Sequence, residues 1–206
     1  MENRTSSPDP ATEPVDGRRL RREQGRVAVV DALIDLMLLG EISPTAEHIA
    51  RNADVSVASI HRYFSSLDEL RQVGIQRYLE RIDHLVAIDA IGEGRLDDRI
   101  DRFVSSRLRY LETTAPVARS ARRQAATAPE LGATLQRVRA TLADQVAQHF
   151  AAELEDLTAT ARRERVAVIA VLTSFESWDQ MTDQGFGRGA VERAWTTHLR
   201  LLLDHG

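Results

Sequence analysis

Cysteine and lysine are both missing from the 206 residues. Without cysteine the chain has no disulfide framework, no thiolate-held zinc or iron–sulfur cluster and no thiol nucleophile. All 27 basic residues are therefore arginine, set against 31 acidic ones for a net charge of −4. So even a balance describes neither a histone-like polycation nor a polybasic membrane binder. Long apolar runs are scarce too. The longest notable one, Val166 to Leu172, is seven residues, against the roughly 20 that a membrane-spanning helix needs. The opening residues are polar and acidic, with no apolar signal-peptide core. The expectation is a soluble, cytoplasmic globular protein, long enough for one good core or two modest ones.

Sustained alternation of Val, Ile and aromatics is also lacking, so no strands are expected and the chain reads as all-α, with about nine helices. No internal repeat of 20–50 residues is present. Residues 1–16 hold Pro8, Pro10 and Pro14 among Ser, Thr, Asp and Glu, the composition of a disordered tail. A three-helix unit is expected over 17–66, a long connecting helix over 67–91 and a helical bundle over 92–206. In the first helix Val27, Val30, Ile34, Met37 and Leu38 recur at three- and four-residue steps and form an apolar stripe. In the connecting helix Leu70, Val73, the stem of Arg77, Ile82 and Leu85 are the inward candidates. Beyond Gly94 the pattern predicts helices near 96–113, 116–127, 130–155, 158–183 and 189–204, with Pro116 and Pro129 as breaks.

Residues 45–64, TAEHIARNADVSVASIHRYF, carry the most information. Two helices of about two turns, capped by Thr45 and Ser56, flank a three-residue turn, which is helix-turn-helix spacing. Ile49 and Ala50 must pack against the second helix, small Ala53 permits close approach, and Asp54 is suited to a left-handed turn residue. Val55 and Ile60 then face inward, leaving Val57, Ala58, Ser59, His61 and Arg62 pointing out. This segment resembles the TetR family of transcriptional regulators, through Thr45, Ile49, Ala50, Ala53, Val55, Ser56, Ile60, Tyr63, Phe64 and Leu70. Three positions depart from the family pattern: Asp54 replaces a turn glycine, His61 a phosphate-contacting tyrosine, and Leu67 a lysine.

The resemblance implies a homodimer that binds a palindromic double-stranded DNA operator and is released by a small-molecule effector, most often as a repressor. Thr45 and Ser56 read as caps whose helix N-termini also suit phosphate. Val57, Ala58 and Ser59 read either as ordinary surface or as base and thymine-methyl contacts. His61 and Tyr63 stand between DNA contact and packing, and Arg62 reads as a phosphate contact. Just upstream, Arg18, Arg19, Arg21, Arg22 and Arg26 against Glu23 give residues 17–26 a net charge of +4, an arm able to grip phosphates or enter a minor groove.

The family's ligand pocket lies among the middle helices of its C-terminal half. The resemblance points there to Phe103, Arg107, Tyr110 and Arg122, and further along to Gln145, His149, Phe150 and Trp178. The family dimerises through its last two helices, which here offer Ile169, Leu172 and Phe175, then Val191, Trp195, Leu199 and Leu202. Each of these positions also reads as intramolecular core. No Gly-rich phosphate loop, Gly-x-Ser-x-Gly or His-Glu-x-x-His occurs, and the six histidines show no paired metal spacing. No enzymatic activity, catalytic residue, cofactor or metal is expected. The rival reading is a helical small-molecule binding or sequestering protein with a weakened DNA-binding domain.

Overall fold

The computed structural model describes residues 17–41 and 43–204, and of Arg18 only the backbone. The tail expected over 1–16 lies outside the described residues, as does His205. The fold is all-α. Among the described residues there are nine helices of seven residues or more and one short turn of helix, with no strand. The first four are α1 (Gly17–Leu38), α2 (Ala46–Asn52), α3 (Val57–Tyr63) and α4 (Leu67–Val86). They are followed by α5 (Leu96–Gln124), α6 (Pro129–His149), α7 (Ala151–Leu154), α8 (Ala159–Leu172), α9 (Phe175–Asp183) and α10 (Arg188–Leu203).

Hydroxyl caps set most of the helix starts. Thr45, Ser56, Ser66, Thr158 and Ser174 each accept from the backbone N–H three residues on, satisfying a donor that the helix itself cannot. At α4 the Glu69 carboxylate reaches back to the Ser65 N–H at 2.7 Å, a variant of the capping box.

Four boundaries differ from the sequence pattern. Helix α4 stops at Val86 rather than near Ile91. Its last carbonyls are taken from outside, Val86 by the Gln145 amide at 2.6 Å and Ala87 by the Ser106 hydroxyl at 3.3 Å. Helix α5 runs unbroken through Pro116, although proline removes one ladder bond at a cost of about 3 kcal/mol. Its buried face from Ile100 to Ala121 packs it along the middle of the bundle. The expected 130–155 helix breaks at Phe150. The expected 158–183 helix breaks at Thr173 and Ser174. There Thr173 turns its hydroxyl back to the Ile169 carbonyl at 2.8 Å and Ser174 caps α9.

One continuous buried cluster runs from Val29 on α1 to Leu203 on α10. Helix α1 is central to it, with Val29, Val30, Leu33, Ile34 and Leu36 all buried, so its second half packs on several sides, not along one stripe. The inward positions of α4 are Leu70, Gly74, Tyr78 and Ile82, a strict four-residue row. Arg77 is not inward: it is half exposed and donates to Asp31 at 2.8 Å. Gly74 permits the close crossing of α4 over α1, since a Cβ there would sit 2.8 Å from Leu33 Cδ2.

Candidate functional site

Helices α2 and α3 form the bihelical unit expected from the sequence, and its turn is built by backbone chemistry. Asp54 takes the left-handed conformation at φ 53°. Its N–H donates to the Arg51 carbonyl and the Val55 N–H to the Ala50 carbonyl, at 3.4 and 2.9 Å. This is a Schellman end to α2 with aspartate where glycine is usual. Ile60 and Phe64 are buried, fixing the inner face of α3. Ala58, His61 and Arg62 are left exposed, with Val57 and Ser59 half-buried beside them. Ser59 is engaged within the helix, 3.0 Å from the Ser56 hydroxyl and accepting from Arg62 at 3.2 Å.

Two contacts lock this unit to α1. The Tyr63 ring lies against the backbone at Gly25, where a Cβ would stand 2.4 Å from its hydroxyl, so Tyr63 packs and only its flank is open. Arg26 stacks over the Phe64 ring at 5.0 Å. Arg19, Arg21 and Arg22 remain exposed along the first turns of α1. Arg22 reaches the Arg62 carbonyl at 3.4 Å, which places the start of α1 beside the end of α3. Leu67 is half-buried against the core.

A cavity of about 1050 Å³ opens behind this unit, at the upper end of the size of small-molecule sites. Its walls come from both halves of the chain. Leu33 and Met37 of α1 and Ile75, Tyr78, Leu79 and Ile82 of α4 face Leu111 and Val117 of α5 and Leu135, Val138 and Leu142 of α6. Arg107 and Tyr110 of α5 bring polar groups to this apolar wall. Arg107 is 5% exposed, stacks on Phe103 at 5.0 Å and donates to the Leu142 carbonyl at 3.1 Å. Burial pushes its guanidinium down to about 10, so it stays charged at neutral pH. Burial raises the hydroxyl of Tyr78 to about 12 and also raises that of Tyr110, the latter offset by the charges of Arg107 and Arg122.

At one rim of the cavity Arg122 and Arg139 share the Glu176 carboxylate at 2.9 and 2.6 Å. Burial alone would raise the Glu176 carboxyl. The hydrogen bonds from Arg139, Arg122 and its own backbone, with the Arg122 charge, bring it down to about 2. Among the described residues no group of three or more His, Asp or Glu stands where it could hold a metal. No helix of the described residues is long and apolar enough to cross a membrane.

No protein-family model and no curated protein matches this chain. The candidate residues must therefore be placed by geometry alone. Of the eight positions considered for ligand, Arg107, Tyr110 and Arg122 line the cavity. Phe103, His149 and Phe150 instead form a fully buried aromatic cluster, with ring centroids 4.9–5.9 Å apart. Gln145 is spent on the end of α4. Trp178 is buried beneath Arg119 at 5.5 Å. None of these five lines the cavity: Phe103 lies one turn before Arg107 on α5, and Val146 and His149 continue the row of Val138 and Leu142 on α6 past its end, where they are fully buried.

The positions considered for a dimer surface also move. Ile169, Phe175, Val191, Trp195 and Leu199 are buried within this single chain, and Leu172 and Leu202 are half-buried. Phe175 belongs to the cavity wall, under Arg122 at 3.9 Å. The exposed apolar side chains of α8 and α10 are Val168, Val171 and Leu201, at 50, 69 and 73%. The sequence pattern missed the cavity walls of α1 and α4. The four-residue row through Tyr78 was the available signal, but nothing local says that its far side faces a void.

Proposed function

We propose that this chain is a cytoplasmic, homodimeric transcriptional regulator of the TetR kind, a repressor that grips a palindromic operator and is released by a small molecule in the cavity. The observation that carries the reading is that α1 and α4 serve two sites at once. Helix α1 begins with the exposed arginines beside α3 and ends as cavity wall at Leu33 and Met37. Helix α4 begins one loop after α3 and lines the cavity from Ile75 to Ile82. A ligand that alters this wall tilts the helices on which α3 is mounted, a coupling worth about 1–3 kcal/mol, or 5–150-fold in operator affinity.

In this reading Arg18, Arg19, Arg21 and Arg22 grip phosphates, with Arg62 and the helix N-termini capped by Thr45 and Ser56 alongside. Val57, Ala58, Ser59 and His61 lie toward base edges, and Tyr63 holds α3 against α1. The pairing surface is the outer face of α8 and α10, through Val168 and Leu201. The second reading, a ligand-sequestering protein whose DNA-binding part has weakened, is favoured by one feature, apolar Leu67 packed where a lysine would reach phosphate.

The salt dependence of duplex binding separates the two. Replacing Arg18, Arg19, Arg21 and Arg22 with Ala is expected to flatten the log–log slope by about 0.9 for each phosphate that is no longer neutralised. An unchanged slope removes the arm from the interface, and no duplex binding at any salt leaves the sequestering reading.

A further inference from the structure

The arginines of α5 are treated unequally. Arg99 is 4% exposed, but it donates to the Glu153 carboxylate at 2.9 Å and to the His149 carbonyl at 2.9 Å. Arg119 has Asp179 at 2.7 Å and Arg122 has Glu176 at 2.9 Å. Arg107 is as buried as Arg99, yet among the described residues no carboxylate pairs with it. Its one hydrogen bond goes to the neutral Leu142 carbonyl, which leaves most of its five N–H donors unused.

The neighbours repeat the imbalance. The Tyr78 hydroxyl is buried and has no hydrogen-bond partner. Tyr110, 7% exposed, lies close enough for the Arg107 charge to act on its hydroxyl. Every unspent polar group at this end of the cavity can donate, while the walls around it are Ile82, Leu111, Leu142 and similar side chains. A buried charge without a counter-charge is held at a large desolvation cost. An occupant that supplies negative charge and acceptor oxygens recovers it through charge-assisted hydrogen bonds.

We infer that the cavity takes an organic anion with a bulky apolar body, its carboxylate seated on Arg107 beside Tyr110. The inference rests on reading the cavity as a ligand site, and it adds the class of ligand. The geometry favours a carboxylate over a neutral alcohol or an amine. An alcohol supplies no charge to Arg107, and an ammonium group would face a like charge there. The acids that line the cavity, Asp68, Glu130 and Glu176, are engaged by Arg71, by Gln72 and by Arg122 with Arg139, and none of them bonds to Arg107.

The test is calorimetric titration of the full chain, without DNA, at pH 7.5, using two acid–alcohol pairs of matched shape. These are dodecanoate with dodecan-1-ol, and 1-naphthaleneacetate with 2-(1-naphthyl)ethanol. At least one acid is expected to bind tenfold or more tighter than its alcohol. In Arg107→Met that advantage is expected to fall below threefold while the alcohol binds as before, and Arg107→Lys is expected to retain part of it. Should Arg107→Met lose its helical circular dichroism, Tyr110→Phe replaces it, with a several-fold loss for the acid alone. Alcohols binding as tightly as acids, or an acid advantage that survives these variants, overturns the inference. Because DNA is absent from the titration, such a failure leaves the regulator reading standing, and a failure to bind duplex leaves the anion site standing.

Discussion

Trp195 offers the sharpest test of whether α10 packs inward or serves mainly as a surface for a partner. The side chain is 0% exposed in the single chain, and its indole Nε1 is buried without a hydrogen-bond partner. Two terms therefore oppose each other on truncation. Removing a fully buried tryptophan costs about 3–5 kcal/mol in transfer free energy and residual cavity. Removing an unsatisfied buried N–H returns about 1–3 kcal/mol. Trp195→Ala is thus expected to destabilise by about 2 kcal/mol, roughly 4–8 °C in melting temperature for a chain of this length. Trp195→Phe keeps most of the apolar packing and discards the orphan donor, so it is expected to stay within about 1 kcal/mol of the parent. Thermal denaturation followed at 222 nm, at two protein concentrations, measures both. If Trp195→Ala melts like the parent, the residue is not core. If Trp195→Phe costs as much as Trp195→Ala, the indole N–H has a partner and the reasoning about it is wrong.

The outer face of α8 and α10 is expected to behave differently: Val168→Glu with Leu201→Glu leaves the helical signal in place but shifts the mass measured by light scattering to that of one chain. An unshifted mass would put the pairing surface elsewhere. The turn aspartate carries a left-handed backbone at φ 53°, so Asp54→Gly is expected to raise stability by about 0.5–1 kcal/mol, and a loss of stability in urea titration would contradict the strain. The last prediction concerns acid. His149 is 0% exposed, accepts from the Gly92 N–H at 3.2 Å and bonds the Arg99 carbonyl through its other nitrogen, an arrangement that holds the neutral ring. Burial lowers its pKa first, with the Arg102 and Arg99 charges adding to that, against an opposing backbone hydrogen bond and Glu153. The unfolded chain then takes up this proton before the folded one. The stability contributed is complete above about pH 6.5 and is lost as pH falls through the folded value. His149→Gln should remove that slope from denaturation midpoints measured between pH 7 and 5; a parent with no slope there would refute the assignment.

Local chemistry explains which parts of this molecule were legible in its sequence. The caps at Thr45 and Ser56 and the left-handed Asp54 depend on residues within one or two turns, and all are where the spacing put them. The faces of long helices depend on partners far away in the chain. Leu199 is buried and Leu201 is 73% exposed on the same helix. They stand two residues apart and so on nearly opposite sides, and both are leucine. Aromatic weight singles out Trp195 in the sequence, whereas the neighbouring α5 and α8 decide that it points inward. The continuity of α5 through Pro116 is likewise a tertiary outcome, since local propensity argues for a break. The cavity was the least visible feature. Arg107 and Tyr110 stand out as polar residues in an apolar helix face, but the void beside them exists only because α1 and α4 come from one end of the chain and α5 and α6 from its middle.

The central claim is that a pair of these chains reads DNA through α3, and repeated selection of bound duplexes from a random pool tests it without knowing the operator. The account predicts enrichment of a palindrome whose half-sites lie one helical turn apart, roughly 34–36 Å, or a multiple of it. It also predicts that Ala58→Tyr, on the exposed face of α3, changes or abolishes the selected sequence while the melting temperature holds. A pool that stays random through successive rounds, or one that converges on the same sequence for Ala58→Tyr, contradicts it.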